Sequence, residues 1–312
     1  MPSCRVSAGK RRTGATASSI TSSRTSTSSS TSDGLAARVA GLVRLVHPFP
    51  SVLDGLVVFA VALVAGGDLA TSALLGLSMM SLQFAIGALN DIVDASADAG
   101  RATKPIPSGA VSVTLARVAV ALAATIGLAV AAAVGAEVVV VASVVLAIGA
   151  AYDLFAKGTP WSWLPFAVGI PLLPIYGWVG ATGMLPASFA VLLPMAFLAG
   201  AALAVANARV DVEVDRASGT RSVATALGDD RSWWVGAVLF VAATAIGVVG
   251  AVATSWEPLT IALVVIGTAV VAAGVSLGRG AGAAARRRAC EAQAIGAAIA
   301  ATGWVAGLLP RP

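Results

Sequence analysis

Asn90, Asp91, Asp94 and Asp98 close an apolar run that begins near Leu69, and an apolar helix is a costly place to leave carboxylates. In helical geometry Asn90, Asp94 and Asp98 recur at every fourth position and share one stripe, with Asp91 beside it. Carboxylates so close repel and raise one another's pKa unless a cation sits among them. Hard oxygen donors of this kind suit Mg2+, which is usually held by one or two carboxylates together with substrate phosphates. Asn207, Asp211 and Asp215 repeat the spacing and again close an apolar run. Cations and a glycine follow each stripe: Arg101, Lys104 and Gly109 after the first, Arg216, Gly219 and Arg221 after the second. Two acidic helix ends facing each other, rimmed by Lys and Arg, would hold a Mg2+-bridged diphosphate. The residues therefore read as an intramembrane site for a phosphorylated lipid. Asn90, Asp94, Asp98, Asp211 and Asp215 are the expected metal ligands, directly or through water. Asp91, off the stripe, is placed to orient Lys104 or Arg101. Glu213 lies two residues from each Asp of its motif and reads as solvated or salt-bridged.

The elements that must position these groups are membrane-spanning helices. Of 312 residues, 58% are hydrophobic and 11% charged, outside the usual range of soluble domains. The net charge of +5 is dispersed among apolar segments, so no nucleic-acid partner is expected. Cys4 and Cys290 are too far apart in sequence to indicate a disulfide framework or a thiolate metal site. Residues 1–34 are basic and rich in Ser and Thr, with Asp33 as their acid, and lack the apolar core of a signal peptide. They read as disordered, with a transit peptide or an over-long start as alternatives. The expected organisation is a tail over 1–40 followed by one membrane domain over 41–312.

Nine apolar segments reach the length of about 20 residues needed to cross a bilayer. They run roughly over 43–66, 70–94, 112–133, 135–154, 162–182, 186–212, 233–253, 258–277 and 289–309. Pro48 and Pro50 disturb the start of the first, and Pro165, Pro171 and Pro174 predict a kinked fifth. Abundant Ala and Gly let helix backbones approach closely in such a bundle. With nine spans, every Lys and Arg except Arg311 falls on the side of the amino-terminal tail. The positive-inside rule makes that side cytoplasmic and places both Asp stripes there.

These motifs resemble the UbiA superfamily of intramembrane prenyltransferases. Its first signature, Asn-Asp-x-x-Asp-x-x-x-Asp at the end of the second helix, matches Asn90, Asp91, Asp94 and Asp98. Lys104 to Gly109 resembles the basic-Pro-Ile/Leu-x-x-Gly element that follows it. Asp211, Asp215, Gly219 and Arg221 match the second signature, and Tyr152 with Lys157 matches a Tyr-to-Lys element after the fourth span. The resemblance covers about residues 40–310. It implies an all-α integral membrane bundle of nine helices around a central cavity, with a cytoplasmic cap carrying the two Asp-rich motifs. It also implies transfer of a prenyl group from a prenyl diphosphate to an acceptor. Mg2+ and the cations Arg101, Lys104, Lys157 and Arg221 would stabilise the leaving diphosphate, and an apolar chamber would shield the allylic cation. Asn207 joins the substrate-binding set, and Tyr152 is either a diphosphate hydrogen-bond donor or an ordinary interfacial tyrosine.

Other polar residues carry two readings each. His47, beside Arg44 at the cytoplasmic end of the first span, contacts an acceptor carboxylate or is structural. Asp54 lies deeper, where a carboxylate normally faces a cavity or a partner; it lines the acceptor pocket or pairs with Arg44. Gln83 falls nearly on the face of Asn90. Trp161, Trp163 and Trp178 read first as an interfacial belt, with a cation-stabilising role for one of them as the alternative, and Arg286-Arg287-Arg288 reads as a topology anchor touching anionic lipid. A small aromatic acceptor of the hydroxybenzoate kind is expected from the breadth of the family, which also includes cyclases and enzymes acting on non-aromatic acceptors. A transporter of a phosphorylated lipid is the reading from another class, because the repeated stripes hint at internal symmetry. Transport sites tend to lie at the bilayer midplane, whereas both stripes here close their helices at one surface. Ala- and Val-heavy usage points to the plasma membrane of a GC-rich bacterium.

If both stripes serve one diphosphate, Asp94→Ala and Asp215→Ala each remove nearly all turnover while leaving a folded, membrane-inserted protein. Substantial activity in either variant sinks the two-stripe reading.

Overall fold

The computed structural model describes residues 29–251 and 256–308, and every regular element among them is helical. The expected tail lies outside the described residues over 1–28, as does Arg311, and its boundary at residue 40 falls inside helix α1 (Ser29–Leu45). Helix α2 (Pro48–Val64) follows at an angle of 50° to the preceding one. The corner is His47, held in the left-handed region at φ 46. Ser51 ties it down, its hydroxyl donating to the carbonyls of Val46 and His47 at 2.9 and 3.0 Å. Pro48 then opens α2 where a missing N–H costs nothing. The prolines flagged in the sequence thus mark a corner, and the first straight helix starts after it.

Capped helices come next. The Asp68 side chain accepts from the amides of Ala70 and Thr71 to start α3 (Leu69–Asp94). Ser112 accepts from Leu115 to start α4 (Val113–Val134). Helix α5 (Ala136–Ala151) widens into a π-helical turn over Tyr152–Ala156, closed by the Lys157 amide on the Tyr152 carbonyl at 2.8 Å. The expected kink of the fifth span is a break at Ile170 and Pro171 between α6 (Trp163–Gly169) and α7 (Leu172–Thr182). The chain continues through α8 (Phe189–Val210), the short α9 (Val212–Ser218) and α10 (Val223–Leu227), and α11 (Asp229–Ala251). Two long helices, α12 (Pro258–Leu277) and α13 (Ala283–Leu308), end it and pack along each other.

Seven helical stretches among the described residues are long and apolar enough to cross a membrane, and the bent α1–α2 pair makes an eighth if it is one span. The segment expected as the ninth is α13, whose first third carries Arg286, Arg287, Arg288 and Glu291 and so dilutes its apolar character.

The main core forms where α2, α3, α5, α7, α8 and α13 meet, around Val58, Val61, Leu75, Met79 and Leu82. A buried polar pair within it is satisfied internally: Ser78 Oγ lies 2.6 Å from Tyr176 Oη and donates to the Gly127 carbonyl at 2.7 Å. Trp178 is only 4% exposed and packs edge-on against Phe189, so it belongs to this core. That corrects its reading as part of an interfacial belt; the neighbouring Trp161 is 66% exposed. Small residues set the helix spacing. A Cβ on Gly55 would meet the Gly76 carbonyl at 2.8 Å, and one on Gly76 would meet the Gly55 carbonyl at the same distance.

Because backbone stands opposite both glycines, Gly55→Val should lower the thermal unfolding midpoint in detergent, by an amount corresponding to roughly 1–3 kcal/mol of overpacking. Gly282→Ala, whose added methyl meets nothing within 4 Å, should leave the midpoint unchanged.

Candidate active site

Helix α3 ends at Asp94, but the Asp98 amide still donates to the Asp94 carbonyl at 2.8 Å, which keeps Asp98 one turn beyond Asp94. The chain then folds back through a turn that Gly109 completes at φ 76, and Arg101 and Lys104 return onto the stripe. Arg101 Nη1 donates to Asp98 Oδ1 at 2.7 Å. Lys104 Nζ bridges two acids, Asp91 Oδ1 at 2.9 Å and Asp98 Oδ2 at 3.1 Å. Asp91 is buried, and His47 Nε2 lies 3.4 Å from its Oδ1. Burial works against the Lys104 charge, but the hydrogen bonds and charges of Asp91 and Asp98 outweigh it and hold the ammonium above its ordinary pKa. The hydrogen bond that Arg101 donates to Asp98 likewise raises its pKa.

The π turn after α5 supplies the other wall. Lys157 Nζ hydrogen-bonds to Asp94 Oδ2, and Asn90 Nδ2 donates to Asp153 Oδ1 at 2.8 Å. Tyr152, packed edge-on against Phe166 at 5.3 Å, lies within electrostatic reach of Asp94 on the first stripe and of Asp211 and Asp215 on the second. Lys157, bonded to Asp94, also lies in the field of Asp215. Acids of both stripes are therefore in electrostatic reach of Tyr152 and Lys157.

On the second stripe, α8 breaks at Asp211 and restarts as α9. The Asp215 amide donates to the Asp211 carbonyl at 2.8 Å, so these two acids remain one turn apart. Asn207 and Asp211 are exposed and Asp215 is half-buried. Burial, with help from Asp211, raises the Asp215 pKa against the Ser222 hydroxyl and Lys157. Among the described residues no Lys, Arg or His lies within ion-pair distance of Asp211 or Asp215, whereas every acid of the first stripe has such a partner. Arg101 and Asp211 both line a cavity of about 490 Å³ beside Glu213 and Arg287.

Not every expected residue joins this cluster. Arg44 and Arg221 are exposed and form no ion pair among the described residues. Asp54 is half-buried and its carboxylate accepts from Gln83 Nε2 at 2.7 Å, which joins α2 to α3; among the described residues it forms no ion pair with Arg44. Arg286 is corrected outright: 7% exposed, it faces the protein instead of lipid. Its Nη1 donates to Glu213 Oε1 at 2.7 Å and to the Arg209 carbonyl at 3.2 Å, and its Nη2 to Asp229 Oδ2 at 3.1 Å. Buried Arg209 in turn reaches Asp229 Oδ1 and the Gly278 carbonyl. The Arg209 carbonyl is drawn to Arg286 just where α8 stops, so this brace fixes the break that presents Asp211. Sequence reading missed Asp153 and Arg209; each is an ionisable residue inside an apolar run, the signal that had singled out Asp54.

Chemically, hard carboxylate and amide oxygens face cations at one end of an apolar bundle. Among the described residues no three His, Cys, Asp or Glu side chains already converge as a closed metal cage. Such a cage is not what Mg2+ on a diphosphate requires, since phosphates and water complete its shell. The uncompensated acids of the second stripe make the donor set fit a divalent cation.

The model of the UbiA prenyltransferase family matches residues 53–306. The chain is 32% identical over 219 residues to the digeranylgeranylglyceryl phosphate synthase of Natronomonas pharaonis, covering 66% of this chain and 76% of that one. A UbiA homologue from Aeropyrum pernix K1 superimposes with a TM-score of 0.66 at 23% identity, over 81% of this chain and 96% of the other. One from Archaeoglobus fulgidus, bound to DMAPP and Mg2+, does so with a TM-score of 0.66 at 20% identity, over 85% and 98%.

Since one guanidinium joins three segments, Arg286→Ala should cost about 1–3 kcal/mol in detergent unfolding, the range for a lost buried hydrogen-bonding group. Arg286→Lys, which keeps the charge but not the fork, should fall between the two. An unfolding midpoint for the alanine variant equal to that of the wild type would show that the brace carries no stability.

Proposed function

The chain belongs to the UbiA prenyltransferase family, and from that premise we propose that it moves a prenyl group from a prenyl diphosphate to the hydroxyl of a glycerophosphate lipid, releasing diphosphate. The observation that carries the reading is Lys157, which bonds Asp94 of one acidic helix end and lies in the field of Asp215 of the other. Asn90, Asp94, Asp98, Asp211 and Asp215 are assigned to hold Mg2+, directly or through water, with Asn207 beside them. When bound, Mg2+ supplies charge neutralisation for the diphosphate. Arg101, Lys104, Lys157 and Arg221 are assigned to phosphate oxygens, Tyr152 to a hydrogen bond there, and Asp91 to holding Lys104. These donors stabilise charge as the allylic C–O bond breaks, and the acceptor oxygen forms the new bond while losing its proton. Arg44 and Asp54 are assigned to the acceptor side.

The glycerophosphate class replaces the small aromatic acceptor expected from the sequence. It is supported by the relative named digeranylgeranylglyceryl phosphate synthase. The protein is an integral, multi-pass membrane protein; we assign α13 as its ninth span, residues 95–111 and 211–228 to a cap over the site, and the site to the cytoplasmic side by its cations.

The test is turnover of labelled geranylgeranyl diphosphate by the purified full chain in liposomes, with and without Mg2+. The acceptors are geranylgeranylglyceryl phosphate, 4-hydroxybenzoate and none. Mg2+-dependent prenylation of the glycerophosphate is expected. Product from 4-hydroxybenzoate alone overturns the acceptor, and hydrocarbon release without acceptor turns the reading to cyclisation. No diphosphate release from any chain length removes the catalytic reading.

A further inference from the structure

Asp153 is 3% exposed, and its carboxylate oxygen Oδ1 accepts from Asn90 Nδ2 at 2.8 Å while Oδ2 is buried without a hydrogen-bond partner. A half-satisfied buried carboxylate weakens a fold, and such a group asks for a reason to be there. Position supplies one. Asn90 and Asp94 are four apart on α3, and Asp153 and Lys157 are four apart on and just after the π turn. The contacts Asn90 to Asp153 and Asp94 to Lys157 each join residues 63 apart, so they form two successive rungs between α3 and the π turn. A π turn is a wider turn found mostly at functional sites, and this one brings Asp153 and Lys157 together against α3.

We propose that Asp153 is a positioning residue that sets which end of the Asn90 side-chain amide faces the diphosphate site. The two ends of an amide are nearly the same shape and opposite in chemistry, so an asparagine presents its oxygen reliably only if a neighbour fixes the other end. An ionised carboxylate accepts hydrogen bonds and donates none. Asp153 therefore requires the NH2 of Asn90, and the amide oxygen is turned away from it as a hard donor for a cation. The Lys157 ammonium provides the compensating charge in the field of Asp153. The inference rests on the assignment of Asn90 to Mg2+ and deepens it: a neutral ligand in a stripe of acids needs a device to fix its direction, and Asp153 is that device.

The test uses the purified full chain in detergent and reads binding, not turnover: calorimetric titration of geranyl thiodiphosphate, a slowly reacting analogue, at a series of Mg2+ concentrations. Asp153→Asn is isosteric and offers Asn90 either end of an amide, so the Mg2+ dependence should weaken by several-fold. Asn90→Asp sets two carboxylates against each other at 2.8 Å and should weaken it more, by about tenfold or 1.4 kcal/mol. The double exchange Asn90→Asp with Asp153→Asn restores one donor facing one acceptor and frees a carboxylate oxygen at position 90. It should bind within about threefold of the wild type, less than 1 kcal/mol away. Losses that merely add in the double variant, or full binding by Asp153→Asn, overturn the proposal. Ligand-free unfolding midpoints check that all three variants fold, and a double variant that fails to fold also counts against it, since the exchange conserves shape and charge. Asp94→Ala in the same titration separates the two levels. If it binds like the wild type, the two-stripe site and this inference fall together. If it loses binding while Asp153→Asn keeps it, the inference alone falls.

Discussion

A carboxylate at the end of an apolar helix has to be neutralised, and the way this chain does so on one stripe and not on the other organises the site. Asp91, Asp94 and Asp98 are each held by a cation from elsewhere in the chain, Lys104, Lys157 and Arg101. Those contacts shape what surrounds them. The turn over 95–111 folds back because Lys104 must reach two acids, and the π turn after α5 delivers Lys157 to Asp94. The cations that the proposed diphosphate site needs are thus already gathered at the stripe. A group that is preorganised need not be reorganised as negative charge develops on a leaving group.

Asp211 and Asp215 stand in contrast, near one another and without an ion-pair partner among the described residues. Their position depends on the brace beneath them. Arg286 and Arg209 tie the end of α8, the start of α11 and the α12–α13 connection to one another through Glu213, Asp229 and Gly278. Acids left uncompensated gain most from an added cation, and a rigid support keeps them from relaxing toward neighbours of their own.

Much of this was legible in the sequence, because period and polarity carry it. The four-residue spacing of the acids, their place at the end of apolar runs and the cations that follow are all visible without coordinates. The pairing of Asp91 with Lys104 was one of two partners anticipated. What could not be read depends on contacts between distant segments. Asp153 sat unnoticed beside Tyr152, since only the π turn brings it onto Asn90. Arg286 looked like one of three equal arginines, yet it is buried while Arg287 and Arg288 are exposed, a difference set by how α13 faces α8. Trp178 carries no local mark that separates a core tryptophan from an interfacial one.

The distribution of polar groups through the bundle also bears on catalysis against transport. A carrier needs a polar path from one face to the other, or a site midway that opens to each. Here the polar side chains of both stripes and their cations gather at one set of helix ends. The core between α2, α3, α5 and α7 is closed by Val58, Val61, Leu75, Met79 and Leu82, and the polar pair within it, Ser78 with Tyr176, is satisfied by its own hydrogen bonds. Asp54 is the carboxylate set deeper in α2, and it is engaged with Gln83. Among the described residues a packed apolar core lies beneath these charged helix ends, and that is not the polar path a carrier needs. It suits the proposed reaction, in which the diphosphate stays at the helix ends, the isoprenoid lies among the helices and water is kept from the carbon where the bond is cleaved.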